Sequence, residues 1–166
     1  MNVRLLRALV AVATVAAGWL LVNWYLSDER QIERRLTRIQ RLVAKTPAES
    51  DLAALAAARA ISETFSEPFE IRVEPAGHST SDRSSLIGNV HQYRARSSAL
   101  AMEISGLQLF FDTQKAGANT FFSARFIADI GDLVGEESYD FRIHWTKRDG
   151  DWLIDDVLVS NVDQLP

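Results

Sequence analysis

The dipeptide Asp149-Gly150 lies between two runs rich in aromatic and branched residues, Glu137–Lys147 and Trp152–Val162. A pair of this kind favours a two-residue hairpin turn in which both central residues have positive φ, and it makes the flanking runs antiparallel neighbours. Two further runs of the same character, Ala99–Asp112 and Thr120–Ile130, come before them, separated by turn signals. Four long strands joined in succession by short turns pair antiparallel. Whatever lies upstream must then cover one face of a single sheet.

The upstream sequence has a helical period instead. Ile32, Leu36, Ile39 and Val43 recur at helical spacing between Asp28 and Ala44, with Arg and Glu on the opposite side. Thr46-Pro47-Ala48-Glu49 reads as a helix start, with Thr46 as cap, Pro47 in the first turn and Glu49 closing a capping box. Leu52, Leu55, Ala58, Ile61 and Phe65 draw the apolar stripe behind it, and Pro68 ends that helix near Ser66. Phe69–Glu74 alternates as a short strand, Pro75–Ser81 reads as a polar loop, and Ser81 or Asp82 caps a further helix. That helix carries its apolar side on Leu86, Ile87, Val90 and Tyr93. The expected class is α+β, with helices packed on one antiparallel sheet.

The last hairpin contains a conflict. With Asp149-Gly150 as the turn, Phe141, Ile143, Trp145, Trp152 and Ile154 share the core face, and strict alternation would bury Asp156 among them. An unpaired buried carboxylate is costly. A bulge at Asp155-Asp156 would turn the strand over and put Val157 and Val159 inward. Without the bulge, Asp156 points into an interior cavity, where it would be a candidate general base, with Tyr93 as a candidate hydrogen-bond donor.

Ahead of the helices, Ala8 to Leu26 is an uncharged run interrupted only by Thr14, Gly18 and Asn23. At ~1.5 Å per residue it spans roughly 28 Å, about the hydrocarbon thickness of a bilayer. Trp24 and Tyr25 stand where an interfacial belt belongs. An uncleaved anchor fits better than a secretory signal, because Ala16-Ala17-Gly18 is followed by more apolar chain. Arg4 and Arg7 favour an N-in orientation; Arg30, Arg34, Arg35, Arg38, Arg41 and Lys45 argue the other way. The expected organisation is a transmembrane anchor over 1–27, an amphipathic linker helix over 28–45 and an α+β domain over 46–166. The expected location is a bacterial inner membrane crossed once, with the domain in the periplasm.

Charge narrows the partners. The net charge is -4, and from Asp129 onward ten acidic residues face only Arg142, Lys147 and Arg148. Phosphates would be repelled, so nucleic acid is not an expected partner. There is no cysteine, which removes disulfides, thiol nucleophiles, iron–sulfur clusters and thiolate-bound zinc together. His78, His91 and His144 lie on separate segments without metal-ligand spacing, and no glycine-rich phosphate loop, dinucleotide fingerprint or nucleophile elbow is present. No metal or cofactor is expected. His144 faces Asp155 in the unbulged register and is expected to form a surface pair with it.

Helices first, then a long-stranded sheet closing on Lys147-Arg148-Asp149-Gly150-Asp151-Trp152-x-Ile154-x-x-Val157, resembles the nuclear transport factor 2-like superfamily and its SnoaL-like branches over about Thr46 to Val162. The resemblance implies a cone of helices wrapped by a curved sheet with a pocket at its wide end, and a homodimer through the outer sheet face. It implies either a noncatalytic binding or assembly domain or a SnoaL-like or ketosteroid isomerase-like enzyme acting on a hydrophobic small molecule. The isomerase pattern of one interior tyrosine and two carboxyl groups does not map residue by residue onto this chain. The expected function is therefore a membrane-anchored, noncatalytic binding or assembly domain, the enzyme being the alternative.

Overall fold

The computed structural model describes Trp19 and residues 27–74, 76–114, 116–130 and 133–161. Apart from Trp19, the expected anchor Ala8–Leu26 lies outside the described residues. Among the described residues no helix is long and apolar enough to cross a membrane. The chain divides into two compact units, Met1–Arg35 and Leu36–Pro166, with the boundary inside the first helix, α1 (Asp28–Val43). In the first unit Arg30 pairs with Glu33 at 2.7 Å, one helical turn on.

In the second unit, α2 (Asp51–Ser62) is followed by β1 (Phe65–Val73), β2 (His78–Thr80), α3 (Arg83–Arg96), β3 (Ala99–Phe111), β4 (Gly117–Ile130), β5 (Leu133–Arg148) and β6 (Asp151–Asn161). The strands form one curved six-stranded sheet in the order β2-β1-β6-β5-β4-β3. The long strands stand close to where the alternating pattern puts them and form the expected meander. The sheet is nonetheless mixed: β1 runs parallel to β6, with Ile71 opposite Val157 and Val73 opposite Val159. Short turns dictate antiparallel pairing only between consecutive strands. Four strands and α3 lie between β1 and β6 in the chain, so no turn constrains their relative direction. The stretch read as a loop contains β2, which folds back on β1 after Gly77 at φ 65°.

The second helix differs from expectation at both ends. Its cap is Ser50, whose Oγ accepts the Ala53 N–H at 3.3 Å. Thr46 to Glu49 is instead a turn, closed by the Glu49 N–H donating to the Thr46 carbonyl at 3.1 Å. The helix stops at Ser62, four residues early. The end is closed locally: the Arg59 carbonyl accepts the Glu63 N–H at 3.0 Å and the Ser62 hydroxyl at 2.7 Å, and the Ile61 carbonyl accepts the N–H and hydroxyl of Thr64 at 3.0 and 2.6 Å. Phe65 therefore opens β1 rather than ending the helical stripe, and Leu52 is 78% exposed while Ala54, Ala58 and Ile61 are buried. Small residues at that contact let α2 lie close to its neighbours. Asp82 caps α3 as expected, accepting the Ser85 N–H at 2.8 Å.

Asp149 and Gly150, at φ 52° and 90°, make the turn with two positive-φ residues that the dipeptide requires. Trp145 pairs with Ile154. The register then slips by one, so His144 faces Asp156, Ile143 faces Val157 and Phe141 faces Val159. The bulge reading is the correct one. Val157 and Val159 are buried, and the expectation that strict alternation buries Asp156 is overturned. At the centre Trp145 and Trp152 are fully buried, and the indole N–H of Trp145 donates to Thr120 Oγ1 at 3.0 Å, also with no exposure.

Candidate functional site

Arg94 organises the site. Its side chain is 3% exposed, although it sits on the last turn of α3. One terminal nitrogen donates to the carbonyls of Leu42, Val43 and Ala44 at 2.5, 2.7 and 3.2 Å, where α1 leaves its own carbonyls unpaired. The other grips both oxygens of Glu49 at 2.6 Å. Glu49 is thus spent on Arg94 rather than on the capping box. Lys45 bridges to Leu100 through both backbone groups, at 2.8 and 3.1 Å, and its Nζ donates to the carbonyls of Arg94 and Ser97 at 2.7 Å each. The end of α1, the turn after it, the end of α3 and the start of β3 form one latch.

Behind the latch opens a cavity of about 360 Å³ lined by Val43, Asn89, Val90, Tyr93, Leu100 and Phe126, together with Arg94. Its walls are almost wholly apolar. The apolar side assigned to α3 explains this wall: Leu86 is buried in the core, while Val90 and Tyr93 are left half-buried and 41% exposed and face the cavity.

Polar groups gather beside it. Phe126 pairs with Glu137 and Ala124 with Tyr139, so Glu137 and Tyr139 share the sheet face of the buried Ala124 and Ala128. The Tyr139 hydroxyl donates to Glu137 Oε2 at 2.6 Å, and its ring meets Phe126 edge-on at 6.0 Å. The hydrogen bond to Glu137, then burial, pushes the Tyr139 phenol up to about 12. Burial, and secondarily the charge of Glu137, raises the Tyr93 phenol. Both phenols hold their protons at neutral pH. The neutral, hydrogen-bonded Tyr139 contributes stability in full below the ordinary phenol value near 10 and loses it as pH climbs through about 12. Titration of phenolate absorbance is expected to show one tyrosine ionising near 12, and Glu137→Gln is expected to move it down. A profile unchanged by Glu137→Gln would show that the carboxylate is not the cause.

Of the two residues marked in the sequence, Tyr93 lines this cavity and Asp156 does not. The bulge puts Asp156 on the outer sheet face, with Arg72 Nη2 at 2.7 Å and Arg142 Nη2 at 3.9 Å. His144 pairs with Asp155 at 2.5 Å as expected, and His91 pairs with Asp51 at 2.9 Å. Among the described residues no three His, Cys, Asp or Glu side chains are placed to hold a metal. The residues missed in the sequence are Arg94, Glu137 and Tyr139. For the last two a signal existed. Glu137 and Tyr139 continue, at period two, the face of Phe141, Ile143 and Trp145, and a carboxylate in phase with core aromatics marks a polar group at the edge of the interior.

No family model matches the chain, and no curated protein matches it in sequence. Solved structures match its fold. A candidate scytalone dehydratase from Novosphingobium aromaticivorans superposes with a TM-score of 0.68 at 14% identity, over 81% of this chain and 84% of that one. A nuclear transport factor 2-like protein with a cystatin-like fold from the same organism gives 0.66 at 15%, over 92% and 91%. A candidate calcium/calmodulin-dependent protein kinase II association domain from Xanthomonas campestris gives 0.57 at 15%, over 74% and 95%. The fold is the nuclear transport factor 2-like, cystatin-like one. Its relatives in shape include a candidate enzyme and a candidate association domain, so function has to be argued from the site.

Proposed function

We propose that the domain binds a small hydrophobic molecule in the cavity between α3 and the β3–β4 part of the sheet, as a noncatalytic module held at the periplasmic face of a bacterial inner membrane. The observation that carries the binding reading is the cavity itself, large enough for a molecule of one or two rings and apolar except at its edge. The membrane part is supported by the uncharged run Ala8–Leu26 in the sequence. A polarity-sensitive neutral fluorophore is the test. It is expected to bind with enhanced, blue-shifted emission, and Val90→Trp is expected to weaken binding at least ~10-fold by filling the space, with little change in thermal midpoint. Equal binding by both proteins would remove the reading.

One observation favours the enzymatic alternative. A phenol and a carboxylate 2.6 Å apart beside an apolar pocket can share a proton with a bound substrate, and a similar structure carries the description of a candidate dehydratase. If the site is catalytic, Glu137→Gln keeps binding but lowers kcat by roughly 10²–10⁴.

A further inference from the structure

Arg94 has one N–H that nothing receives. Both terminal nitrogens are committed to Glu49 and to three carbonyls, but Nε is buried and has no hydrogen-bond partner. Leaving a buried N–H of a charged group without an acceptor is costly, and proteins rarely do so without compensation elsewhere. Here the same residue forms part of the wall of the apolar cavity. Nε has essentially no exposed surface.

We infer that the molecule taken by this pocket carries an uncharged hydrogen-bond acceptor, such as a ketone, ester or ether oxygen, that receives the Nε–H of Arg94. This rests on the binding reading above. To reach Nε the acceptor must part the side chains that cover it.

The charges around the pocket decide against an anion. The Arg94 guanidinium is already neutralised by the bidentate Glu49 and lies on the negative C-terminal end of α1. The Lys45 ammonium lies likewise on the carbonyls that end α3. Two cations are therefore met by one carboxylate and two helix C-termini. Glu137 adds a further negative charge near Tyr93, on the pocket wall. A carboxylate entering this space would give up its hydration and find no free counter-charge.

Three probes of similar size separate the possibilities on the full-length chain: butyrophenone, butylbenzene and 4-butylbenzoate, each titrated calorimetrically and in competition with the fluorophore. Butyrophenone is expected to bind about ten-fold tighter than either of the others, because only it meets an unpartnered cationic donor without adding charge. In Glu49→Gln, which strips the guanidinium of its counter-charge, 4-butylbenzoate is expected to gain about ten-fold on butyrophenone. Butylbenzene or 4-butylbenzoate binding as tightly as the ketone to the unaltered protein would overturn the inference and leave the binding reading standing. Failure of all three to compete, with fluorophore binding indifferent to Val90→Trp, would overturn both.

Discussion

Arg94→Met is expected to destabilise the second unit by about 3–5 kcal/mol, the cost of removing one partner from a buried ion pair. Glu49 would be left as a carboxylate at the edge of the interior, its side chain only 13% exposed, and the carbonyls of Leu42, Val43 and Ala44 would lose their shared donor. The measurement is urea unfolding followed by tryptophan emission. The midpoint should fall while the denaturant slope stays the same, because the native core is unchanged. Arg94→Met combined with Glu49→Gln should recover a large part of the loss, since much of it comes from the stranded carboxylate rather than from the missing contact. A single variant within about 1 kcal/mol of the parent would show that the latch is incidental to stability.

Trp145→Ala is expected to cost a similar amount, about 3–5 kcal/mol, for a different reason. The indole is fully buried near the end of β5, against Ile154 on the neighbouring strand, and truncation leaves a cavity that the close-packed surroundings fill only in part. Trp145→Phe keeps most of the volume but removes the N–H donated to Thr120, so its loss should be smaller, about 1–3 kcal/mol. Unfolding midpoints of the two variants separate packing from hydrogen bonding. Equal losses would mean that volume is not the main term.

The two predictions differ in how far they were legible. Trp145 stands in phase with Phe141 and Ile143 on a strand whose turn is declared by Asp149-Gly150, so its burial follows from period and turn chemistry alone. Arg94 follows an apolar stripe and, being charged, belongs by every local rule to a solvated face. It is buried because the end of α1 and Glu49, about fifty residues upstream, converge on it. No local pattern records that meeting. The same holds for Glu49, whose spacing from Thr46 satisfies a capping box that a better partner elsewhere disrupts.

Asp156 lies between these cases. The local pattern exposed a conflict, a carboxylate in a core position, and named the bulge that resolves it. The choice between bulge and cavity was made by neighbours: Val157 and Val159 gain burial beside β1, and Arg72 on β1 gives the displaced carboxylate its partner.

The sequence by itself determined the α+β class, the four long strands, the closing turn and most of the apolar core, because period and turn chemistry act between residues close in the chain. Only the tertiary structure decided that β1 joins β6 in parallel, that Arg94 and Glu49 form the latch, and that Tyr93, Tyr139 and Glu137 stand together beside an apolar cavity. Those are contacts between distant segments, fixed by which surfaces bury the most and leave the fewest charges unpaired, and no short stretch of chain encodes that balance.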